Sequence, residues 1–319
     1  MRRVAIVIPY FQRTEGLLRA ALEGVLAQTA LPRISEVVVV DDGSPVPARS
    51  ETEALCTSHP ALATRLRLIE QVNGGVSRAR NRGLDACTTG VEYVAFLDPD
   101  DVWEADHLER ALAALDLGHD FYFANHLHIG KDEDAFGASG VLDTAAHTPL
   151  TIPDTWRYEG NFAAQVALNN PVMTSGVVYR FCAHPEVRFD PRFRYAGEDY
   201  VMWMRLCRDR ANRVCFSTRV AHRAGEGINL YSGAKWGTLH LSHRLLDEMD
   251  WQREALTAFA LPAQARAPMR EKILDRRRVF FQNLLGMLKR SRIVGIARSM
   301  GLLAQRRRLW SLVLFGRLH

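Results

Sequence analysis

Three carboxylates within four residues, Asp98-Pro99-Asp100-Asp101, follow the apolar run Tyr93-Val94-Ala95-Phe96-Leu97. Like charges held this close raise one another's pKa, and a divalent cation removes the penalty. Hard oxygen ligands suit Mg²⁺ or Mn²⁺. Mg²⁺ typically takes one or two protein carboxylates and fills its other positions with phosphate oxygens and water. An acidic turn capping a helix near Glu104 is the competing reading, and a place at the end of a strand favours the cation. Asp41-Asp42-Gly43-Ser44 closes a second apolar run, Val37-Val38-Val39-Val40. There a plain turn competes with a carboxylate that accepts from a nucleobase N–H or a ribose hydroxyl. Asn73-Gly74-Gly75-Val76-Ser77-Arg78-Ala79-Arg80-Asn81-Arg82-Gly83 reads as a Gly-rich turn into a basic helix. Its backbone N–H groups and arginines suit phosphate. It lacks the GK[ST] of a P-loop, so a solvated basic helix is the alternative.

Regular elements must hold these residues. Residues 4–8 are wholly apolar and end at Pro9, as expected for a strand buried on both faces. Residues 15–28 place Leu17, Leu18, Ala21, Leu22, Val25 and Leu26 at helical spacing. Residues 37–40 and 93–97 read as further strands, with a weak helix near 51–56, an apolar stretch at 66–69 and a helix over 77–86. Such alternation predicts a mostly parallel sheet with helices on both faces, and ligands bind beyond the carboxyl ends of its strands. Strand-like pieces follow at 121–124 and 176–179, then a helix at 199–207. From Lys235 the text is helical, to about Phe259, over 267–289 and over 293–314. The expected organisation is one α/β domain over 1–234, divided at 117/118, and a helical extension over 235–319.

The 319 residues are 47% hydrophobic and 24% charged, which excludes a disordered or collagen-like chain. Apolar runs such as residues 310–315 are far shorter than the roughly 20 residues of a spanning helix. The apolar run after Met1-Arg2-Arg3 is too short for a signal peptide, so the expected location is cytoplasmic. Five scattered cysteines without a CxxC pair give neither a disulfide framework nor a zinc ribbon. The net charge of +5 is uneven: residues 264–319 carry 14 Lys/Arg against Glu271 and Asp275, leaving residues 1–263 at −7.

In order and spacing, Pro9-Tyr10-Phe11, Asp41-Asp42-Gly43-Ser44, the Asn73-to-Asn81 stretch and Phe96-to-Asp101 resemble family 2 glycosyltransferases. Gly197-Glu198-Asp199-Tyr200-Val201-Met202-Trp203 is similar to that family's ED motif at the head of a helix. The resemblance covers residues 1–230 and implies a GT-A fold, a nucleotide-binding half merged with an acceptor half. It implies that Pro9, Tyr10 and Phe11 line the nucleobase pocket and that Asp42 recognises the base. Asp98 and Asp100 then face ribose and diphosphate, with Arg80 on the donor side and Asp100 or Asp101 holding Mn²⁺ or Mg²⁺. Asp199 matches the catalytic base with Glu198 beside it, while Trp203 stands on the acceptor side or, as its spacing favours, in the helix's buried face. The metal-binding histidine of some members has only a loose match, His222, for which a structural histidine is the competing role. The implied reaction is metal-dependent inverting transfer from a nucleoside-diphosphate sugar, UDP being the first expectation, to a saccharide or lipid-linked hydroxyl in bacterial surface polysaccharide synthesis. A base takes the acceptor proton and a metal stabilises the departing diphosphate.

A sugar nucleotidyltransferase is the enzymatic alternative, although its GxGTR-type stretch is replaced here by Pro9-Tyr10-Phe11-Gln12-Arg13. A dehydrogenase lacks its GxGxxG, and a non-catalytic nucleotide-sugar-binding protein needs neither Asp98 to Asp101 nor Asp199. In the tail, Arg276-Arg277-Arg278 and Arg306-Arg307-Arg308 interleave with Phe280, Phe281, Leu284, Leu285 and Leu288. That pattern suits an anionic membrane surface, placing the protein peripherally at the inner face of the plasma membrane; the alternative is a helical appendage packed on the body or on a second subunit as a homodimer. No nucleic-acid recognition motif accompanies it.

Overall fold

The first strand, β1 (Val4–Tyr10), is buried at every position because helices cover both faces of the sheet. On one face Ile6 and Ile8 share a core with Leu18 and Leu22 of the helix Leu17–Leu26 and with Leu108 and Leu112 of the helix His107–Asp116. On the other, Val38 and Val40 of β2 (Ile34–Asp41) pack against Ala79 of the helix Val76–Ala86. The computed structural model describes residues 3–128, 130–208, 213–225 and 234–316.

The remaining strands are β3 (Leu66–Glu70), β4 (Tyr93–Phe96), β5 (Val102–Trp103), β6 (Phe121–His128), β7 (Thr148–Pro149), β8 (Thr155–Arg157), β9 (Val178–Arg180) and β10 (Val214–Ala224). They form one sheet in the order β3-β2-β1-β4-β9-β6-β10-β8-β7, with β5 paired to β10. β3, β2, β1 and β4 run parallel, as the alternating pattern predicts. β9 enters antiparallel between β4 and β6, and β6 pairs in parallel with β10. The expected α/β architecture therefore stands, with short antiparallel strands added in its second half.

β10 has no clear signal in the sequence. Its register shifts between Ser217 and Val220 and again between Val220 and His222. Such bulges break the two-residue alternation by which a half-buried strand is recognised.

The described residues fall into two compact units. One is drawn from residues 1–162, 171–189 and 205–228, the other from 163–170, 190–204 and 229–319. The second unit thus combines the expected helical extension with the segment that carries Glu198 and Asp199. Its long helices are Leu239–Ala258, Ala263–Lys289 and Ile293–Gln305, followed by the short helix Trp310–Phe315. The sequence pattern predicts one helix across 293–314. Instead Arg306 leaves helical geometry (φ −103°, ψ 62°) and a single 3₁₀ turn, Arg307–Leu309, intervenes. The break turns Arg306 and Arg308 onto Asp247 and Asp250 of the helix Leu239–Ala258.

Candidate active site

The strand order β3-β2-β1-β4 reverses direction at the β1/β4 boundary, and open α/β sheets bind ligands beyond the carboxyl ends of the strands at such a point. Pro9 and Tyr10 end β1 and are buried, while Phe11 is half-buried. Burial, reinforced by the Glu51 and Asp41 carboxylates, pushes the Tyr10 phenol up to about 12, so it stays neutral.

The two acids after β2 divide their work. Asp41 accepts from the Ser44 N–H through Oδ1 and from the Ala48 N–H through Oδ2, both at 2.8 Å, fixing the turn into the helix Ala48–Ser58. Asp42 accepts through Oδ1 from Gln71 Nε2 and the Gly74 N–H, both at 2.7 Å, and through Oδ2 from the Gly75 N–H at 2.8 Å. The Asn73 side-chain amide also donates to the Asp42 carbonyl at 2.9 Å. Asp42 therefore ties the Gly-rich turn to the end of β2, a role not read from the sequence. The two motifs are 32 residues apart, and only the parallel pairing of β2 with β3 makes them neighbours.

Behind β4, Arg80 is 3% exposed, donates from Nη2 to Asp98 Oδ1 at 2.9 Å and lies 5.1 Å from the centroid of the Phe189 ring. The basic helix thus turns Arg80 inward, unlike the solvated helix given as the alternative. The Asp98 N–H donates to Ser175 Oγ at 2.9 Å, while Trp103 Nε1 donates to the Ser175 carbonyl at 2.6 Å. Ser175 sits in a 3₁₀ turn, Thr174–Gly176, and no sequence signal marks it.

Asp101 is buried; its Oδ1 accepts from the Gly225 N–H at 3.0 Å and its Oδ2 lies 3.6 Å from His222 Nε2. Burial first, then the Asp98 and Asp100 carboxylates, raises its pKa well above the ordinary range. Gly225 is required at its position, since a Cβ there would overlap the Asp100 carbonyl oxygen. β10 brings His222 opposite His126 of β6 and Trp103 of β5, with the two imidazoles stacked at 5.4 Å. His222 is fully buried and neither ring nitrogen has a hydrogen-bond partner. Burial, helped by His126, His107 and His128, holds it neutral. Neutral imidazole is the form that ligates a metal.

These groups fit a divalent cation. The buried Asp101 carboxyl, flanked by Asp98 and Asp100, and the His222 ring nitrogens without a hydrogen bond are what a cation would satisfy. Among the described residues no three His, Cys, Asp or Glu side chains converge as a complete cage. A site completed by diphosphate oxygens suits that arrangement.

Glu198 and Asp199 belong to the second unit and occupy the first turn of the helix Glu198–Leu206. Glu198 is buried and Asp199 half-buried, with Asp199 Oδ1 accepting from the Tyr200 N–H at 2.9 Å. Trp203 is 0% exposed. That burial is what its spacing predicts for the helix's buried face.

A model of glycosyl transferase family 2 matches residues 5–172. The succinoglycan biosynthesis protein ExoW of Rhizobium meliloti is 32% identical over 241 residues, 72% of this chain and 71% of that protein. Glycosyltransferase GlyA of Streptococcus pneumoniae is 31% identical over 135 residues, 42% of this chain and 18% of that protein. Among solved structures, TarS 1–349 of S. aureus in complex with UDP-GlcNAc superposes with a TM-score of 0.60 at 18% identity, covering 87% of this chain and 73% of that one. Mannosyltransferase PcManGT of Pyrobaculum calidifontis, in complex with GDP-Man and Mn²⁺, gives a TM-score of 0.60 at 15% identity, covering 97% and 81%. At these identities the structures speak for the fold, which is GT-A.

Proposed function

This chain belongs to glycosyl transferase family 2, and from that premise we propose that it is a metal-dependent, inverting glycosyltransferase that uses a UDP-linked sugar. The acceptor is a hydroxyl of a saccharide or lipid-linked saccharide in surface polysaccharide synthesis. The observation that carries this proposal is the carboxylate turn Asp98 to Asp101 beyond β4, backed by a neutral, unpartnered His222. UDP and UDP-GlcNAc in TarS structures support the donor class, Mn²⁺ in the mannosyltransferase supports the metal, and the succinoglycan protein supports the product class. The nucleotidyltransferase and binding-protein alternatives give way to family membership.

A bound Mn²⁺ or Mg²⁺, held by Asp100 or Asp101 with His222, supplies charge neutralisation for the departing diphosphate. The remaining work falls to the chain. Pro9, Tyr10 and Phe11 form the wall against which the base lies. Asp42 holds the Gly74–Gly75 N–H groups in place and offers its remaining lone pair to the base. Arg80 fixes Asp98 toward the ribose. Asp199 takes the proton of the acceptor hydroxyl as that oxygen attacks the anomeric carbon, and one displacement without a covalent intermediate inverts the configuration.

The tail suits a peripheral membrane contact. Residues 276–319 carry 11 Lys/Arg and no Asp or Glu. Leu285, Leu288, Ile293 and Val294 are 57–67% exposed around Lys289, Arg290 and Arg292, where two helices meet. Apolar insertion plus about 1 kcal/mol per basic residue near anionic headgroups suits such a corner. Two copies joined there would oppose like charges, which disfavours the homodimer. Among the described residues no helix is long and apolar enough to cross a membrane.

The test is turnover of a donor panel (UDP-glucose, UDP-galactose, UDP-GlcNAc, GDP-mannose) with Mn²⁺ or Mg²⁺ and with EDTA. Metal-dependent release of UDP is expected. Release from GDP-mannose alone would overturn the UDP assignment, and turnover unchanged in EDTA would overturn the metal.

A further inference from the structure

Within the second unit, the segment leading into Glu198-Asp199 is fastened along one stripe of the helix Leu239–Ala258. His240, His243, Asp247, Trp251 and Glu254 recur at helical spacing and therefore share a face. The Tyr195 ring stacks on His243 at 4.4 Å and meets His240 edge-on at 5.1 Å. Arg192 Nη2 lies 2.7 Å from Glu254 Oε2, and the Tyr200 ring is 4.7 Å from Trp251. Gly197, with φ +91°, passes so close to Trp251 that any Cβ would overlap the indole. At the centre, Asp247 Oδ2 accepts from the N–H groups of Arg194 at 3.0 Å and Tyr195 at 2.7 Å.

The other oxygen of that carboxylate belongs to the tail. Arg306 Nη2 donates to Asp247 Oδ1 at 2.5 Å, and Arg308 Nη2 donates to Asp250 Oδ2 at 2.5 Å. Asp247 has no exposed surface. A buried carboxylate without a counter-charge is strongly unfavourable, and removing one partner of such a pair leaves the other uncompensated. Burial raises the Asp247 pKa, and the Arg306 charge, with the N–H groups of Tyr195 and Arg194, works against that rise.

We propose that the Arg306–Asp247 pair is a positioning device for the catalytic turn: the C-terminal tail sets the backbone at 194–195 and, through it, the placement of Asp199. The arginine triplet is then split in function. Arg306 is half-buried on Asp247, Arg308 reaches Asp250 from an exposed position, and Arg307 is exposed. The proposal rests on Asp199 being the base. It makes the tail a part of the active site's support rather than an appendage.

The experiment compares the full chain with Arg306→Ala, Arg306→Lys and Asp199→Asn. Hydrogen exchange is followed at residues 194–200, UDP affinity is measured in Mn²⁺, and turnover is measured with the donor panel above. Arg306→Ala should speed exchange at 194–195 at least tenfold and lower kcat at least tenfold, with UDP affinity and donor KM within twofold. Arg306→Lys keeps a charge and should recover most of both losses. Unchanged exchange and kcat in Arg306→Ala overturn the proposal. So does a loss shared equally by UDP affinity, turnover and global protection, which would mark a purely structural role. Should Arg306→Ala not fold, the lysine variant decides: its longer, single-donor contact must still slow turnover measurably without moving UDP affinity. Asp199→Asn should lower kcat by about 10²–10⁴-fold with exchange at 194–195 unchanged. If that variant is fully active, the base assignment fails while the exchange data still report on the pair.

Discussion

His222 holds its Nε2 3.6 Å from Oδ2 of Asp101, and burial pushes the two groups the same way, toward their neutral forms. An imidazole kept unprotonated and a carboxyl reluctant to ionise form a pair that a divalent cation would reorganise: it would draw the carboxylate into its charged form and occupy the free ring nitrogen. Nucleotide affinity and metal affinity should therefore be linked through this pair.

The double substitution Asp100→Asn with Asp101→Asn keeps side-chain size and removes both anionic ligands. UDP affinity in Mn²⁺ should fall at least tenfold by calorimetry, while the weak affinity in EDTA stays unchanged. Equal UDP affinity of variant and parent in Mn²⁺ would show that neither carboxylate holds the metal.

Asp199→Asn should lower kcat by about 10²–10⁴-fold, the usual effect of losing a general base. UDP affinity in Mn²⁺ should stay within twofold, because the proposed donor-binding residues lie on other elements. Glu198→Gln should be milder, since Glu198 is buried. The product should carry inverted anomeric configuration by NMR, and retention would require a second nucleophile.

His107 is buried against Trp103, with ring centroids 5.0 Å apart, and has no hydrogen-bond partner at either ring nitrogen. Burial lowers its pKa from 6.5 to about 3. Above pH 6.5 both folded and unfolded states are neutral there. Below it the unfolded chain takes up a proton that the folded state refuses, so stability is lost as pH falls, by about 1.4 kcal/mol per pH unit. His107→Phe removes that loss. Relative to the parent, the variant should gain about 1.4 kcal/mol per pH unit between about pH 6 and pH 4.5 in urea unfolding. A pH-independent difference would mean that His107 titrates alike in the folded and unfolded states.

Replacing Leu285, Leu288, Ile293 and Val294 together by Ser should release the protein from vesicles containing phosphatidylserine and leave UDP affinity unchanged. Raised salt should weaken the parent's binding, because the basic residues act through a screened field. A parent chain that ignores such vesicles at low salt would assign the corner to another partner.

Much of the first unit was legible from sequence. Buried parallel strands leave continuous apolar runs, and β1, β2 and β4 announce themselves with the polar turns that end them. Local chemistry likewise marked Asp98 to Asp101 as a carboxylate cluster at the end of a strand and residues 77–86 as a helix. Even the helical text after Lys235 follows from apolar spacing, because helices are made by contacts three and four residues apart.

Tertiary structure decided what each polar group faces. Asp42 engages Gly74 and Gly75 only because β2 and β3 lie side by side. Arg80, part of a basic helix in the sequence, is buried on Asp98 and Phe189. His222 meets Asp101 through a strand whose bulges hide it from any periodicity. Arg306 and Asp247 are 59 residues apart, and nothing in either one's local sequence requires the other. Hydrophobic period is a property of neighbours along the chain and can be read there. The partner of a buried charge is chosen by whichever distant group the folded backbone delivers, so it is determined only once the chain has packed.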